Sequence, residues 1–189
     1  KEPLRKLLHK YKEAFYEQGT ILSTTNKLVA EIDTGDHKPV SRKPYKIGHN
    51  LLNPLKEEIK ELLEQGIIEP AGLSPWNSPI ILIAKKTEKG TKRRIVVDFT
   101  AINKITAPIH NRYPDITQTV AKVAGKNYYS RFDLVKAYHQ ILLDEASREK
   151  TSFSCEAGNF RYRTLPMGLK NSGMYFMRLI DSVFQGEIT

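Results

Sequence analysis

Two short apolar runs, joined by a basic segment that contains a glycine, constrain the fold of this chain more than any other feature. Residues 80–84 and 95–97 are apolar and mostly β-branched, which is typical of buried strands. The segment between them, residues 85–94, holds six Lys or Arg side chains, one Glu and one Gly. Two strand-like runs separated by a polar, Gly-containing segment indicate a β-hairpin. The sequence therefore predicts a hairpin whose tip carries more than half of the net charge of +9.

Helical periodicities near the hairpin place the chain in the α+β class. Apolar side chains recur at helical spacing over residues 4–15, and the Gly- and Pro-containing residues 16–50 predict an extended arm. The clearest helix is expected over residues 54–65, with Asn53 as its N-cap, Pro54 at its first position and Gly66 closing its C-terminus. One face of that helix is apolar and the other is acidic, which predicts a buried stripe and a solvated face.

The second half of the chain alternates between helical and strand-like patterns. Residues 100–115 are expected to form a loop, and residues 116–124 a short helix with Asp115 as its N-cap. The period-two pattern of residues 127–134 predicts a strand. The remaining expected elements are a strand over residues 138–143, a hairpin of residues 151–153 and 160–165, and a helix over residues 170–185.

The concentration of positive charge in residues 85–94 favours a phosphate-bearing partner. A solvated hairpin tip explains the same pattern equally well, so the charge by itself leaves both interpretations open.

The rest of the composition argues against several classes of protein. Cys155 is the one cysteine, so no intrachain disulfide can form, and the five histidines do not cluster with it at zinc-binding spacing. No apolar run approaches the roughly 20 residues that span a bilayer. These features predict an intracellular protein, in the cytosol or the nucleus, with no membrane segment.

Residues 130–141 contain a candidate catalytic motif. It places an aspartate, Asp133, five residues before an aromatic, Tyr138, which is followed by His-Gln-Ile. This run resembles the first catalytic motif of reverse transcriptases of the Ty3/gypsy long-terminal-repeat retrotransposon type. Further stretches match that family in order and spacing: residues 31–36, 66–70, 74–79, 94–99, 113–114, 150–153 and 165–171. The resemblance extends over residues 4–185.

The resemblance implies a right-hand polymerase fold, of which this sequence holds the fingers and the start of the palm. Residues 1–45 would form an N-terminal helix and extended arm, residues 46–126 the fingers, and residues 127–189 an incomplete palm. The thumb, connection and RNase H regions of the family would lie beyond Thr189. We expect a palm without its remaining strands to expose apolar surface and to favour a protein partner.

The resemblance also implies roles for individual residues. Asp133 would be the first catalytic aspartate and a ligand of Mg²⁺ or Mn²⁺ in a two-metal site. Tyr138 would be the aromatic gate that leaves no room for a 2′-hydroxyl. Arg94 matches the fingers arginine that holds the incoming triphosphate, since a guanidinium suits phosphate oxygens. Further candidates for dNTP binding are Met167 and either Lys85 or Lys86, whose register the hairpin length leaves open; candidates for nucleic-acid contact are Lys89, Lys92 and Arg93. Asp98 is expected to hold a local polar network.

Two functions fit these observations. The first is the fingers and partial palm of an RNA-directed DNA polymerase from a retroelement polyprotein, with RNA/DNA template-primer and dNTP as partners. The family's second motif, Tyr-x-Asp-Asp, does not occur in the 189 residues, so we expect the isolated chain to be inactive. The alternative is a domesticated remnant that binds nucleic acid or a protein and catalyses nothing. The matches at Asp133, Tyr138 and Arg94 favour the first function, and the missing motif favours the second.

Overall fold

The computed structural model describes residues 2–17, 20–21, 23–87, 90–110 and 115–185. The helices are α1 (Glu2–Lys10), α2 (Leu52–Glu64), α3 (Thr100–Ile105), α4 (Ile116–Val123), α5 (Glu145–Lys150) and α6 (Ser172–Phe184). The strands are β1 (Thr25–Ala30), β2 (Ile68–Pro70), β3 (Ile80–Thr87), β4 (Gly90–Val97), β5 (Ile141–Leu143), β6 (Phe153–Cys155) and β7 (Gly158–Tyr162). Short 3-10 turns cover Lys12–Ala14, His49–Leu51 and Ala137–Gln140. No helix in these ranges is long and apolar enough to cross a membrane.

The described strands form three small sheets. β3 and β4 pair as the expected hairpin, from Ile80 opposite Val97 to Thr87 opposite Gly90. β2, β7 and β6 form an antiparallel sheet, and β1 pairs with β5 in parallel. A single bridge between Ser78 and Phe153 links the start of the hairpin to β6. The mixture of helices and separate small sheets confirms the α+β class.

A hydrophobic core joins these elements. The apolar stripe of α2 is buried as predicted, with Leu55 and Ile59 almost inaccessible to solvent. The same core cluster includes Ile32 from the arm, Ile80 from the hairpin and Phe153 from β6. The three sequence segments therefore pack on one another through shared apolar contacts. The boundaries between arm, fingers and palm stay a prediction.

Several local predictions are confirmed. Asp115 caps α4, because its Oδ1 accepts a hydrogen bond from the Gln118 N–H at 3.1 Å. Gly66 follows α2 with a φ of 64°, a left-handed conformation that glycine adopts without strain. β6 and β7 form the expected second hairpin, with β6 shifted to Phe153–Cys155 and β7 to Gly158–Tyr162.

Two predictions around helix starts are wrong. Helix α2 begins at Leu52 after the 3-10 turn His49–Leu51, so Asn53 lies inside the helix and caps nothing. The preceding turn supplies carbonyl acceptors instead, because the Leu51 N–H donates to the Gly48 O at 2.8 Å and the Leu52 N–H donates to the His49 O. Residues 100–115, expected to be a loop, contain α3, which is anchored by the buried Ile102.

The strand expected over residues 127–134 is not formed. These residues have no regular structure and are exposed; Tyr128 is 93% and Phe132 is 75% accessible. A period-two pattern supplies alternating faces but no partner for the backbone N–H and C=O groups, and no described strand pairs here. The expectation of exposed apolar surface is met at this segment.

Three smaller differences concern element bounds and faces. The strand expected over residues 138–143 is confined to β5, and α1 ends at Lys10 rather than at residue 15. In α6 the buried side chains include Tyr175 and Leu179, whereas Phe184 at its end is exposed.

Candidate functional site

The β3–β4 hairpin decides which of its cations share a face. Lys85 lies directly opposite Lys92, and Ile83 lies opposite Arg94. Because residues two apart on a strand point the same way, Lys85, Lys92 and Arg94 belong to one face. Lys86 and Arg93 belong to the other. The register that the sequence left open therefore groups Lys85, not Lys86, with Arg94. Lys89 lies outside the described residues.

The sequence predicted that the acidic face of α2 would be solvated. In the structure, part of that face packs on the cations of the hairpin. Glu58 is 4% exposed, and its Oε1 lies 3.4 Å from Arg94 Nη1. Lys92 Nζ lies 3.8 Å from the second Glu58 oxygen and donates to Glu61. Two of the cations in the predicted phosphate-binding hairpin are thus held by carboxylates.

A third cation joins this cluster from a distant part of the sequence. Lys136 has a left-handed backbone (φ 48°) and donates through Nζ to the Gln65 side chain, just after α2. Burial, and then the charge of Arg94, lower the pKa of Lys136. Lys136 lies within the motif around Asp133. Nothing in that motif predicted a contact between Lys136 and α2, because the contact depends on how two distant segments pack.

Burial and the neighbouring cations act in opposite directions on the pKa values of the two carboxylates in this cluster. It raises the pKa of Glu58 although Arg94 and Lys92 oppose it. Burial also acts to raise the pKa of Glu61, but the hydrogen bond and charge of Lys92 outweigh it, and that pKa falls. Arg94 Nε and Glu58 Oε2 are buried without a hydrogen-bond partner in the described chain. The Arg94 guanidinium therefore keeps one buried N–H donor that no described residue pairs with.

Asp133 stands apart from this cluster. It is exposed in the irregular segment that follows α4, and it makes no hydrogen bond or ion pair with another described residue. Within the part of the chain that is described, no three His, Cys, Asp or Glu side chains lie close enough to hold a metal ion. These residues alone therefore do not fit a two-metal centre.

Tyr138 and Met167 occupy different environments. The ring of Tyr138 is half-buried, with its centroid 5.5 Å from that of Phe176 on α6. Met167 is exposed at a turn that is fixed by Asn103, whose Nδ2 donates to the Gly168 O at 2.7 Å. Tyr138 is therefore held by packing, whereas the Met167 side chain is accessible.

The interpretation of Asp98 as part of a local polar network is confirmed. Its two carboxylate oxygens accept hydrogen bonds from the Tyr45 hydroxyl at 2.9 Å and from the Thr100 N–H at 3.0 Å. Hydrogen bonds from the side chain and backbone of Thr100, and then from Tyr45, lower the pKa of Asp98.

His139, which sequence reasoning did not single out, is largely buried directly after Tyr138. Its ring stacks on Tyr162 with 6.0 Å between centroids, and its Nδ1 lies 3.2 Å from Thr164 Oγ1. Burial, and then the charge of Lys136, lower the pKa of His139 to about 4. The imidazole is therefore neutral at pH 7 and supports the backbone beside Tyr138.

The chain is similar to known proteins over its whole length. The family described as reverse transcriptase (RNA-dependent DNA polymerase) matches residues 83–188. The Pol polyprotein of transposon opus from Drosophila melanogaster is 36% identical over 99% of this chain and 19% of its own length. That of transposon gypsy, from the same organism, is 33% identical over 100% of this chain and 18% of its own length.

Solved structures show the same fold. The protease-reverse transcriptase of prototype foamy virus superposes with a TM-score of 0.85 at 23% identity, over 100% of this chain and 25% of that one. A foamy viral protease-reverse transcriptase in complex with an RNA/DNA hybrid gives a TM-score of 0.83 at 23% identity, over 97% of this chain and 24% of that one. The right-hand polymerase fold, in its fingers and palm portion, is thereby confirmed. This chain spans about a fifth of the length of the polyproteins it matches.

Proposed function

Because this chain belongs to the reverse transcriptase (RNA-dependent DNA polymerase) family of retroelement polyproteins, we propose that it supplies the fingers and the first part of the palm of an RNA-directed DNA polymerase. Residues 46–126 form the fingers in this proposal, and residues 127–189 begin the palm. Residues 1–45 form the arm that leads into the fingers.

The gathering of Lys92, Arg94 and Lys136 at one place supports a role in binding the triphosphate of an incoming nucleotide. Arg94 has a buried Nε donor with no partner among the described residues, and its face of the hairpin also carries Lys85. Guanidinium and ammonium groups are the usual protein ligands of phosphate oxygens. In this proposal the phosphates take the place that the α2 carboxylates hold in the chain without ligand.

Tyr138 supports a preference for deoxynucleotides. Its ring is backed by Phe176, so it cannot readily move aside for a 2′-hydroxyl. Met167, at an exposed turn, is proposed to line the same nucleotide site, whereas Lys86 lies on the face of the hairpin opposite to Arg94.

Asp133 is proposed as a catalytic carboxylate and a ligand of Mg²⁺ or Mn²⁺. One carboxylate binds a hard divalent cation weakly against water, and catalysis by two metals needs further oxygen ligands. We therefore propose that the isolated 189-residue chain does not extend primers. Primer extension on an RNA template, with magnesium or manganese present, tests this directly; any extension product contradicts the proposal.

Nucleic-acid binding is tested separately with an RNA/DNA hybrid. Binding through phosphates weakens with salt, by a log–log slope of about −0.9 for each phosphate contacted in a duplex. Lys85 and Lys86 are exposed and carry no ion pair among the described residues, so replacing both with Ala is expected to make the slope shallower by about 1 to 2 units. Replacing Lys56 and Lys104, two exposed lysines on α2 and α3, is the matched control. A hybrid that does not bind at all contradicts the proposed function.

A non-catalytic remnant that binds nucleic acid or a protein is the second candidate, favoured by the exposed, unpaired backbone around Asp133. Nucleotide discrimination separates the two. The polymerase proposal expects dCTP to raise the melting temperature of the chain more than CTP does, because the two differ only at the 2′ position, and expects Tyr138→Ala to remove that difference. Equal responses to both nucleotides in the unmodified chain favour the remnant.

A further inference from the structure

Two cations of the arm lack the ion pairs that neutralise other basic side chains. Lys92 and Arg94 of the hairpin are held by carboxylates of α2, and Arg161 is held by Glu69 at 2.7 Å. In contrast, no carboxylate of the described residues lies within 4.0 Å of the charged nitrogens of Arg42 or Lys43. Arg42 and Lys43, in the segment predicted to be an extended arm, are therefore free to form ion pairs with a partner.

Arg42 and Lys43 line a recess of about 480 Å³. The recess lies where the arm, the loop before β3 and the β6–β7 hairpin meet. Its polar lining includes Ser74, Asn77, Ser154 and Asn159, and none of its lining residues is acidic. A ligand that enters the recess meets two cations together with hydroxyl and amide groups.

The backbone that carries the two cations is fixed by Asn77. The Arg42 N–H donates to the Asn77 O at 2.8 Å, and the Asn77 N–H donates to the Val40 O at 3.1 Å. The Asn77 side chain adds a third bond, from Nδ2 to the Arg42 O at 2.6 Å. Because this wall of the recess is already ordered, less conformational entropy is lost when a ligand binds.

Two carboxylates close to residues of the recess already accept hydrogen bonds. Asp98 accepts hydrogen bonds from Tyr45 and Thr100, although it senses the charge of Arg42. Glu149 accepts a hydrogen bond from Ser74 Oγ at 3.4 Å. Neither carboxylate lines the recess, so its net charge stays positive.

We propose that this recess holds one nucleotide of a single-stranded nucleic acid, with Arg42 and Lys43 on its phosphates and the amide and hydroxyl groups beside its base. A volume of about 480 Å³ lies within the roughly 300–1,000 Å³ of small-ligand pockets. A base of a flexible strand can be lowered into a recess, whereas the bases of a duplex are stacked and paired inside it. The choice of nucleic acid over other polyanions rests on the proposed function; the anionic character of the ligand rests on the recess alone.

The test measures fluorescence anisotropy of a labelled oligothymidylate with the full 189-residue chain, between about 50 and 200 mM salt. Each phosphate contact to a single strand contributes about −0.7 to the log–log slope, so Arg42→Ala with Lys43→Ala is expected to make the slope shallower by about 1.4. Affinity is expected to fall about tenfold or more, since two charge-assisted contacts are lost. Lys56→Ala with Lys104→Ala removes the same charge elsewhere and is expected to change the affinity and slope much less.

A second variant tests the recess without changing charge. Ser154 is half-buried in the lining, and Ser154→Phe fills the space while keeping both cations. It is expected to weaken binding of the single strand several-fold and to leave binding of an RNA/DNA hybrid unchanged. Thermal melting of every variant checks that the fold is retained.

Several results would overturn the inference. An unchanged slope in the Arg42/Lys43 double variant, or an equal loss in the Lys56/Lys104 control, places the contact elsewhere. Competition by polyglutamate as effective as that of unlabelled oligothymidylate makes the site a general anion site. If the chain binds the RNA/DNA hybrid but no single strand, this inference is wrong and the proposed function stands. If the chain binds neither nucleic acid, the inference and the proposed function are both wrong.

Discussion

The ion pair between Glu58 and Arg94 is expected to respond very differently to removal of its acid and of its base. Glu58 is 4% exposed, whereas the side chains of Arg94 and Lys92 are 30% and 38% exposed. Arg94→Gln leaves a buried carboxylate with Lys92 as its remaining ion-pair partner. Glu58→Gln leaves two cations that water reaches and that retain Glu61 as a neighbour. We therefore expect Arg94→Gln to destabilise the fold far more than Glu58→Gln.

The magnitude follows from the distances. At an effective dielectric constant of about 20, charges 3.4 Å apart attract by about 5 kcal/mol, and charges 3.8 Å apart by about 4 kcal/mol. Solvent screens both exposed partners, and the Glu58 carboxyl can take up a proton when Arg94 is gone, so we expect a net loss of about 2 kcal/mol for Arg94→Gln. Burial already raises the pKa of Glu58 despite its partners, so the charge itself is not favoured by folding. Glu58→Gln is expected to change the free energy of unfolding by less than about 1 kcal/mol.

The assay is urea unfolding followed by the fluorescence of Trp76, the single tryptophan, which is buried in the native chain. Both single variants and the double variant complete a double-mutant cycle, which isolates the interaction of the pair. A pH series adds a second readout. The pKa of Glu58 is raised in the folded state, so lowering the pH favours folding at this group, and loss of Arg94 raises that pKa further. The deficit of Arg94→Gln is therefore expected to shrink as the pH falls.

Equal destabilisation by the two single variants would refute this reasoning, because it would mean that the two charges are desolvated alike. A deficit of Arg94→Gln that grows as the pH falls would also refute it. An interaction energy near zero in the cycle would show that water screens the pair fully in solution.

Other features of the structure lead to further predictions. Burial lowers the pKa of His139 to about 4 from its ordinary 6.5, so the imidazole takes up a proton more readily in the unfolded chain than in the folded one. The free energy of unfolding is therefore expected to fall by up to about 3 kcal/mol as the pH drops from 6.5 to 4. Urea unfolding midpoints measured across this pH range should show the fall, and His139→Gln should remove most of it. Gly66 has a φ of 64°, so Gly66→Ala is expected to lose about 1–2 kcal/mol in the same assay, whereas Gly72→Ala, with open space around its Cβ and no positive φ, should lose much less. Tyr128 and Phe132 are exposed apolar side chains, so replacing both with Ser is expected to reduce dye binding and self-association in light scattering; an unchanged scattering profile would show that this segment is not the adhesive surface.

Several elements of the fold were readable from the sequence because their signals are local. The stripe of α2 requires only helical spacing, and the Asp115 cap requires only a side-chain oxygen three residues before the Gln118 N–H. The β3–β4 hairpin follows from two apolar runs with a glycine between them. The motif around Asp133 and Tyr138 identified the family, since the order and spacing of motifs can be read directly along the sequence.

The strand expected over residues 127–134 marks the limit of this kind of reasoning. Its alternating pattern is real, but a strand exists only when a neighbour completes its hydrogen bonds, and no described strand does so. A pattern of side chains therefore states which face a strand would bury and not whether the strand forms.

The sequence by itself determined the family, the fold class, the hairpin and the type of residue available for phosphate chemistry. Only the tertiary structure decided that Glu58 is buried against Arg94, that Lys136 joins them, and that Arg42 is fixed to Asn77 beside a recess. The reason is physical: periodicity and capping act over a few residues, whereas burial, ion pairing and the shape of a recess arise where segments far apart in sequence meet. These tertiary contacts decide whether a charged side chain is ion-paired or left unpaired.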